Sequence, residues 1–104
     1  MSKHYFVAAS ERLLTEHTMQ ELLRERTRHY DELNKAIDFW LISSPAFLKA
    51  PELADLGKKI PQPAAALVST DQNFITFMKL RLKFVAQGEF EAPSSNIPDP
   101  LAKA

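Results

Sequence analysis

Nucleophilic hydrolysis needs a serine, threonine or cysteine beside a histidine and an acid. This chain of 104 residues has three histidines, His4, His17 and His29, and no cysteine. Each histidine lies in a polar context, and no Gly-x-Ser-x-Gly elbow occurs. A di-iron carboxylate site needs Glu-x-x-His motifs paired on facing helices. Glu25 and His29 are four apart instead of three, and there is no second copy. Gly57 and Gly88 are the only glycines, too few for a glycine-rich phosphate loop. Ser69-Thr70-Asp71 stands before a helical run, where it could hold an anion, but capping is the commoner use of those residue types. These residues lead to an expectation of no catalytic residue, no metal and no cofactor.

Three charged residues stand out because their neighbours are apolar. On a wheel of 100° per residue, Phe74, Ile75, Phe77, Met78, Leu80, Leu82, Phe84 and Val85 span an arc of roughly 220°, wider than one sheet can cover. Arg81 falls near the middle of that arc. Either other chain segments cover the excess and Arg81 snorkels or pairs with an acid, or part of the arc is a docking surface rich in the residue types of interface hot spots. Arg26 repeats the pattern among Met19, Leu22, Leu23, Tyr30 and Leu33. On the polar side of the same segment, Arg28 with Glu32 and Asp31 with Lys35 are i,i+4 pairs, so that face reads as solvated. Arg24, Arg26, Arg28 and His29 could instead hold a phosphate or porphyrin carboxylate, although acids interleave with the bases. Asp38 is a carboxylate inside a strand-like run, where aspartate is depleted. It either pairs with Arg26 or Arg81 within the fold or meets a partner.

The elements that position these residues follow from periodicity. Tyr5–Ala9 reads as a short buried strand, and from Met19 to about Asn34 the spacing is helical. Ala36–Ile42 is a strand, with Asp38, Trp40 and Ile42 on one face and Ile37, Phe39 and Leu41 on the other. Pro45–Leu48 and Pro51–Leu56 are short helical pieces opened by proline, with Gly57 placed as a C′ residue. After Pro61-Gln62-Pro63 comes a third strand, Ala64–Thr70, then a helix from Gln72 to about Gln87 that Gly88 stops. Glu89–Ala104 has three prolines and no period, and reads as a strap or a frayed tail. The expected fold is a two-layer α+β or α/β domain over residues 1–93, a single sheet of three to four strands with helices packed mainly on one face, followed by an irregular tail over 94–104.

Composition bounds the rest. Thirteen basic residues balance thirteen acidic ones, which removes the electrostatic argument for nucleic acid or an anionic membrane. Without cysteine there are no disulfides, and the chain suits a reducing compartment. The longest uncharged run, Ile60–Thr70, contains two prolines and falls short of the ~20 apolar residues of a membrane span. No signal or transit peptide is visible, so the expectation is a soluble protein, without membrane insertion, that acts by binding another protein.

The blocks Leu22–Tyr30, Ile37–Leu41, Pro45–Leu48, Pro61–Ala66, Ser69-Thr70, Phe74–Thr76, Lys79–Leu82 and Gly88–Pro93 resemble the hypothetical chloroplast reading frame fifty-four family of cyanobacteria, algae and plants. The likeness runs in order from about Tyr5 to Pro93, and Ile37–Leu41 and Lys79–Leu82 are its most specific parts. It implies an accessory subunit of the aerobic magnesium-protoporphyrin IX monomethyl ester oxidative cyclase of chlorophyll biosynthesis. In such a complex a separate membrane-associated di-iron subunit does the oxygen chemistry, and the accessory protein binds it and helps to assemble or stabilise it. The resemblance leaves room for other chlorophyll-synthesis enzymes as further partners. The resemblance also implies partner-binding roles for Asp38, Phe39 and Arg81, and the residue pattern adds Arg26 and Trp40 as secondary candidates. In that role charge at Asp38 and Arg81 would set orientation, and Phe39 would supply buried area. The implied location is the cyanobacterial cytoplasm or plastid stroma, at thylakoid membranes through the partner. The alternative is a tetrapyrrole carrier that delivers substrate to the cyclase.

Overall fold

The computed structural model describes residues 2–83 and 85–104. Four strands, β1 (Ser2–Ser10), β2 (Phe39–Ser43), β3 (Ala64–Ser69) and β4 (Ala86–Ala92), form one antiparallel sheet in the order β2-β3-β1-β4. The helices are α1 (Glu11–Leu14), α2 (His17–Glu32), α3 (Ala54–Lys58) and α4 (Gln72–Leu82), and two 3-10 turns, Ala46–Lys49 and Pro51–Leu53, precede α3. This is the expected α+β domain with a single small sheet.

The two central strands explain their own composition. Every residue of β3 is buried, and Phe6 to Ala9 of β1 are buried beside it. Strands covered on both faces lose polar alternation and read as unbroken apolar runs. On one face Val7, Ala65, Leu67 and Phe39 pack against Leu14, Met19, Tyr30, Phe74, Ile75 and Met78 of α1, α2 and α4. On the other, Phe6, Ala66, Val68, Ile42 and Phe90 pack against Phe47, Leu48, Leu53, Ile60 and Ile97. The long helices thus share one face, and short turns with the C-terminal segment close the other.

Several boundaries differ from the sequence expectation. α4 ends at Leu82, not near Gln87, and Lys83 takes a left-handed φ of 65°. The Lys79 ammonium donates to the carbonyls of Lys83 and Val85, which closes the helix end. Residues from Ala86 then run as β4, paired Phe6↔Gly88 and His4↔Phe90 with β1. Its alternation sends Phe90 and Ala92 inward while Gln87, Glu89 and Glu91 are exposed, a period-2 signal hidden behind the apolar run of α4. Gly88 is therefore a strand residue and not a helix stop. A Cβ there would lie 2.6 Å from the Phe6 ring, so glycine is what lets that ring fill the core. Gly57 is not a left-handed cap either: it lies inside α3 without a positive φ, and a Cβ would lie 2.6 Å from the Leu48 carbonyl oxygen.

The segment after β4 is a strap. Ser94 N–H donates to the Ile97 carbonyl at 2.9 Å, and Ile97 is buried in the second core. The strap ends beside the residues that follow β2, where Ala46 N–H donates to Ala102 O at 2.9 Å and Ala104 N–H to Ser44 O at 2.7 Å.

Candidate functional site

The candidate residues divide between a buried junction and an exposed helix face. The junction forms where α2, β2, β3 and α4 meet. Asp71 caps α4, with its Oδ1 accepting from the N–H groups of Asn73 (3.0 Å) and Phe74 (3.3 Å), as the Ser69-Thr70-Asp71 run led one to expect. Its Oδ2 faces Arg26 Nη2 at 3.4 Å, an ion pair that ties the start of α4 to α2. Arg26 Nη2 also donates to the Tyr30 hydroxyl at 2.7 Å, and that hydroxyl donates to Asp38 Oδ1 at 2.9 Å. The Ser69 hydroxyl, fully buried, donates to the Asp38 carbonyl at 2.8 Å and accepts from Asp71 N–H at 2.9 Å. Asp38 therefore pairs with neither arginine directly. It is linked to Arg26 through Tyr30, and Lys35 stands 3.8 Å from its other oxygen. Asp38 also stands one residue ahead of β2 and not inside it.

Aromatic rings complete the junction. The Arg26 guanidinium carbon lies 3.7 Å from the Phe74 ring centroid, 4.9 Å from that of Tyr30 and 5.3 Å from that of Phe39. Tyr30 meets Phe39 edge-on at 5.4 Å, and Phe39 meets Phe74 at 5.6 Å. Arg26 Nε is buried without a hydrogen-bond partner among the described residues, so the guanidinium is held by ring faces as well as by oxygens. Phe39 is only 6% exposed, so its ring area is taken up by Tyr30 and Phe74 and is not offered at the surface. Trp40 points to the opposite face, part-buried against the second core.

Arg81 belongs to a different surface. The wide apolar arc of α4 splits: Phe74, Ile75 and Met78 are buried, while Phe77 is 52% exposed, Leu80 74%, and Arg81 is exposed with them. Phe84, which the helical reading also placed on that arc, lies outside the described residues. Asn73, Phe77, Leu80 and Arg81 follow i, i+4, i+7, i+8 spacing and form one outward stripe. Among the described residues no carboxylate pairs with Arg81. Gln72 opens α4 at the junction and Arg81 stands near its far end, so Arg81 lies about 14 Å from the junction along the helix axis.

The i,i+4 ion pairs expected on α2 are replaced by i,i+3 pairs. Arg24 bonds Glu21, and Arg28 bonds Glu25 at 2.8 Å. Helical side chains lean toward the N-terminus, which brings each arginine to the acid one turn before it. The basic cluster of Arg24, Arg28 and His29 is thus an exposed face in which both arginines are acid-paired. Among the described residues no three His, Asp or Glu side chains gather in a way that could hold a metal ion. A cleft of about 530 Å³ lies elsewhere, between Pro45, Leu48, Ala54 and Ala64, with Lys49 and Lys58 also lining it.

The model of the Ycf54 protein family matches residues 2–92. The chain belongs to the Ycf54 family. It is 53% identical over 103 residues to a Ycf54-like protein of Synechocystis sp. PCC 6803, covering 98% of this chain and 77% of that one. It is 40% identical over 95 residues to the chloroplastic YCF54 protein of Arabidopsis thaliana, covering 89% of this chain and 44% of the plant protein. The solved structure of the Ycf54 protein from Synechocystis sp. PCC6803 superposes with a TM-score of 0.94 at 52% identity, covering 99% of this chain and 98% of that one. Relatives are therefore cyanobacterial and chloroplastic, and no helix among the described residues is long and apolar enough to cross a membrane.

Proposed function

We propose that this Ycf54 family member is a non-catalytic accessory subunit of the oxygen-dependent magnesium-protoporphyrin IX monomethyl ester cyclase. In this reading it binds and stabilises the di-iron catalytic subunit at thylakoid membranes. The observation that carries the reading is the outward stripe of α4. There a guanidinium with no described carboxylate beside it stands with two large exposed apolar side chains, on a helix anchored at its start by the Asp71–Arg26 pair. Arginine beside aromatic and aliphatic anchors is the composition of an interface hot spot. Asp38 and Phe39 contribute differently: they belong to the junction that fixes the near end of α4 and the entrance of β2, and so position the surface.

The test is affinity capture of the catalytic subunit by variants of the stripe. Arg81→Ala is expected to weaken the complex by ~1–3 kcal/mol, a loss of roughly 5- to 150-fold. Arg81 is exposed, so the isolated domain keeps its stability to within about 0.5 kcal/mol. Undiminished capture by a Phe77→Ala, Leu80→Ala, Arg81→Ala triple variant rules the stripe out. Saturable quenching of Trp40 fluorescence by the porphyrin substrate, without the catalytic subunit, would favour the carrier alternative instead.

A further inference from the structure

The cleft beside the short turns is built from stretches that are separate in sequence. Residues 44–49, 54–58 and 62–64 and Ala104 converge on it. Gly57 sets how closely two of them approach. A Cβ there would lie 2.6 Å from the Leu48 carbonyl oxygen, so the missing side chain is what lets α3 close on the 3-10 turn Ala46–Lys49 and form one wall. The small residues Ala54, Gly57 and Ala64 leave the space beside them unfilled, about 530 Å³ in all. Sites for small organic ligands span roughly 300–1,000 Å³.

Floor and rim differ in chemistry. Pro45, Leu48 and Ala64 are buried, so the floor is apolar. Lys49 ends its 3-10 turn and Lys58 ends α3, and both are exposed at the rim. Among the described residues neither ammonium has an ion-pair partner, and no aspartate or glutamate lines the cleft. Ala104 borders it too, and its carboxylate pairs with neither lysine. By contrast, Arg24, Arg26 and Arg28 of α2 are each paired with an acid. Charges of one sign around a cleft with low-dielectric walls focus their field into it and concentrate the opposite charge there.

We infer that this cleft binds a small amphipathic carboxylate of the fatty-acid type, its apolar body on Pro45, Leu48 and Ala64 and its head between the Lys49 and Lys58 ammonium groups. A neutral ligand of the same shape would leave both cations unbalanced. An anion without an apolar body would leave the floor to water. A lysine ammonium is a point charge on a flexible stem, so the two lysines hold the head by charge while the floor discriminates by shape. The cleft lies on the second core face, across the sheet from α4, and stands apart from the accessory-subunit reading.

Titration of the unmodified chain with decanoate, followed through the amide chemical shifts of Leu48, Gly57 and Ala64, tests this. Those amides should shift saturably, with half-saturation below about 1 mM. Decanol, which keeps the tail and lacks the charge, should bind at least about 5-fold more weakly. Lys49→Gln combined with Lys58→Gln should weaken decanoate by at least about 5-fold and leave the domain folded, because both side chains are exposed. No saturable shift at the cleft below about 1 mM decanoate overturns the inference. So does a smaller difference than that for decanol or for the double variant. Shifts confined to Phe77 and Leu80 overturn it as well, since they mark unspecific contact with the exposed stripe of α4.

Discussion

Replacing Tyr30 by Phe isolates the hydroxyl that joins Arg26 to Asp38. Tyr30 is 3% exposed, and its oxygen accepts from Arg26 at 2.7 Å and donates to Asp38 at 2.9 Å. Phenylalanine keeps the ring and its edge contact with Phe39, so no cavity opens. A hydrogen bond to a charged group is worth ~1.5–3 kcal/mol. Here the Arg26 and Asp38 side chains are each 24% exposed, and water recovers part of both bonds. The net loss should be about 2 kcal/mol. Unfolding entropy of about 2.1 cal/mol/K per residue over 104 residues amounts to about 0.22 kcal/mol/K, so Tm should fall by about 9 °C. Circular dichroism melts of the two proteins measure this directly. In the Tyr30→Phe background, Asp38→Asn should cost about 1 kcal/mol less than in the parent, because the shared bond is already gone. A fall in Tm below about 2 °C, or strictly additive costs, would refute the linkage.

Three further substitutions probe the rest of the fold. Phe39→Ala should cost ~3–5 kcal/mol in urea unfolding, since the ring is buried between Tyr30 and Phe74, and any loss of partner binding should track that loss of structure. Gly88→Ala should destabilise by ~1–3 kcal/mol through overpacking against the Phe6 ring, and a melt indistinguishable from the parent would contradict that contact. Ile97→Ala should cost ~2–5 kcal/mol and speed exchange of the Ala46 and Ala104 amides, because the strap would lose its buried anchor.

The strands read at Tyr5–Ala9, Ala36–Ile42 and Ala64–Thr70 were legible because short apolar, β-branched runs bounded by proline and polar clusters have few other uses, although the second begins only at Phe39. The faces of β2 were legible for the same reason, and Phe39 and Trp40 do fall on opposite sides. β4 was not. Its inward residues are Gly88, Phe90 and Ala92, two of them too small to signal a hydrophobic alternation, and the run begins four residues after an apolar helix. The end of α4 is set by a left-handed lysine, a conformation that residue type does not advertise. The junction was legible in parts only. Aspartate before a helix announces a cap, but nothing in the spacing tells that Asp71 and Arg26, 45 residues apart, will meet.

Arg26 and Arg81 make the limit of pattern reasoning concrete. Each sits inside an apolar arc of its own helix, and a wheel treats them alike. Their fates differ because of what lies across from them. Opposite Arg26 the start of α4 presents the Phe74 ring and the Asp71 carboxylate, so its cation is neutralised and its flat face covered. Opposite Arg81 no described carboxylate stands, and Phe77 and Leu80 beside it remain exposed. A cation held in the fold contributes to stability, whereas one left among exposed apolar side chains is available to a partner's acid. Under the proposed function, the same division separates the ways in which variants would lose the partner. Changes at Tyr30, Asp38 or Phe39 act through the junction and should move Tm and binding together. Changes at Arg81 should move binding alone, and that difference is what distinguishes a docking residue from one that merely holds the docking surface in place.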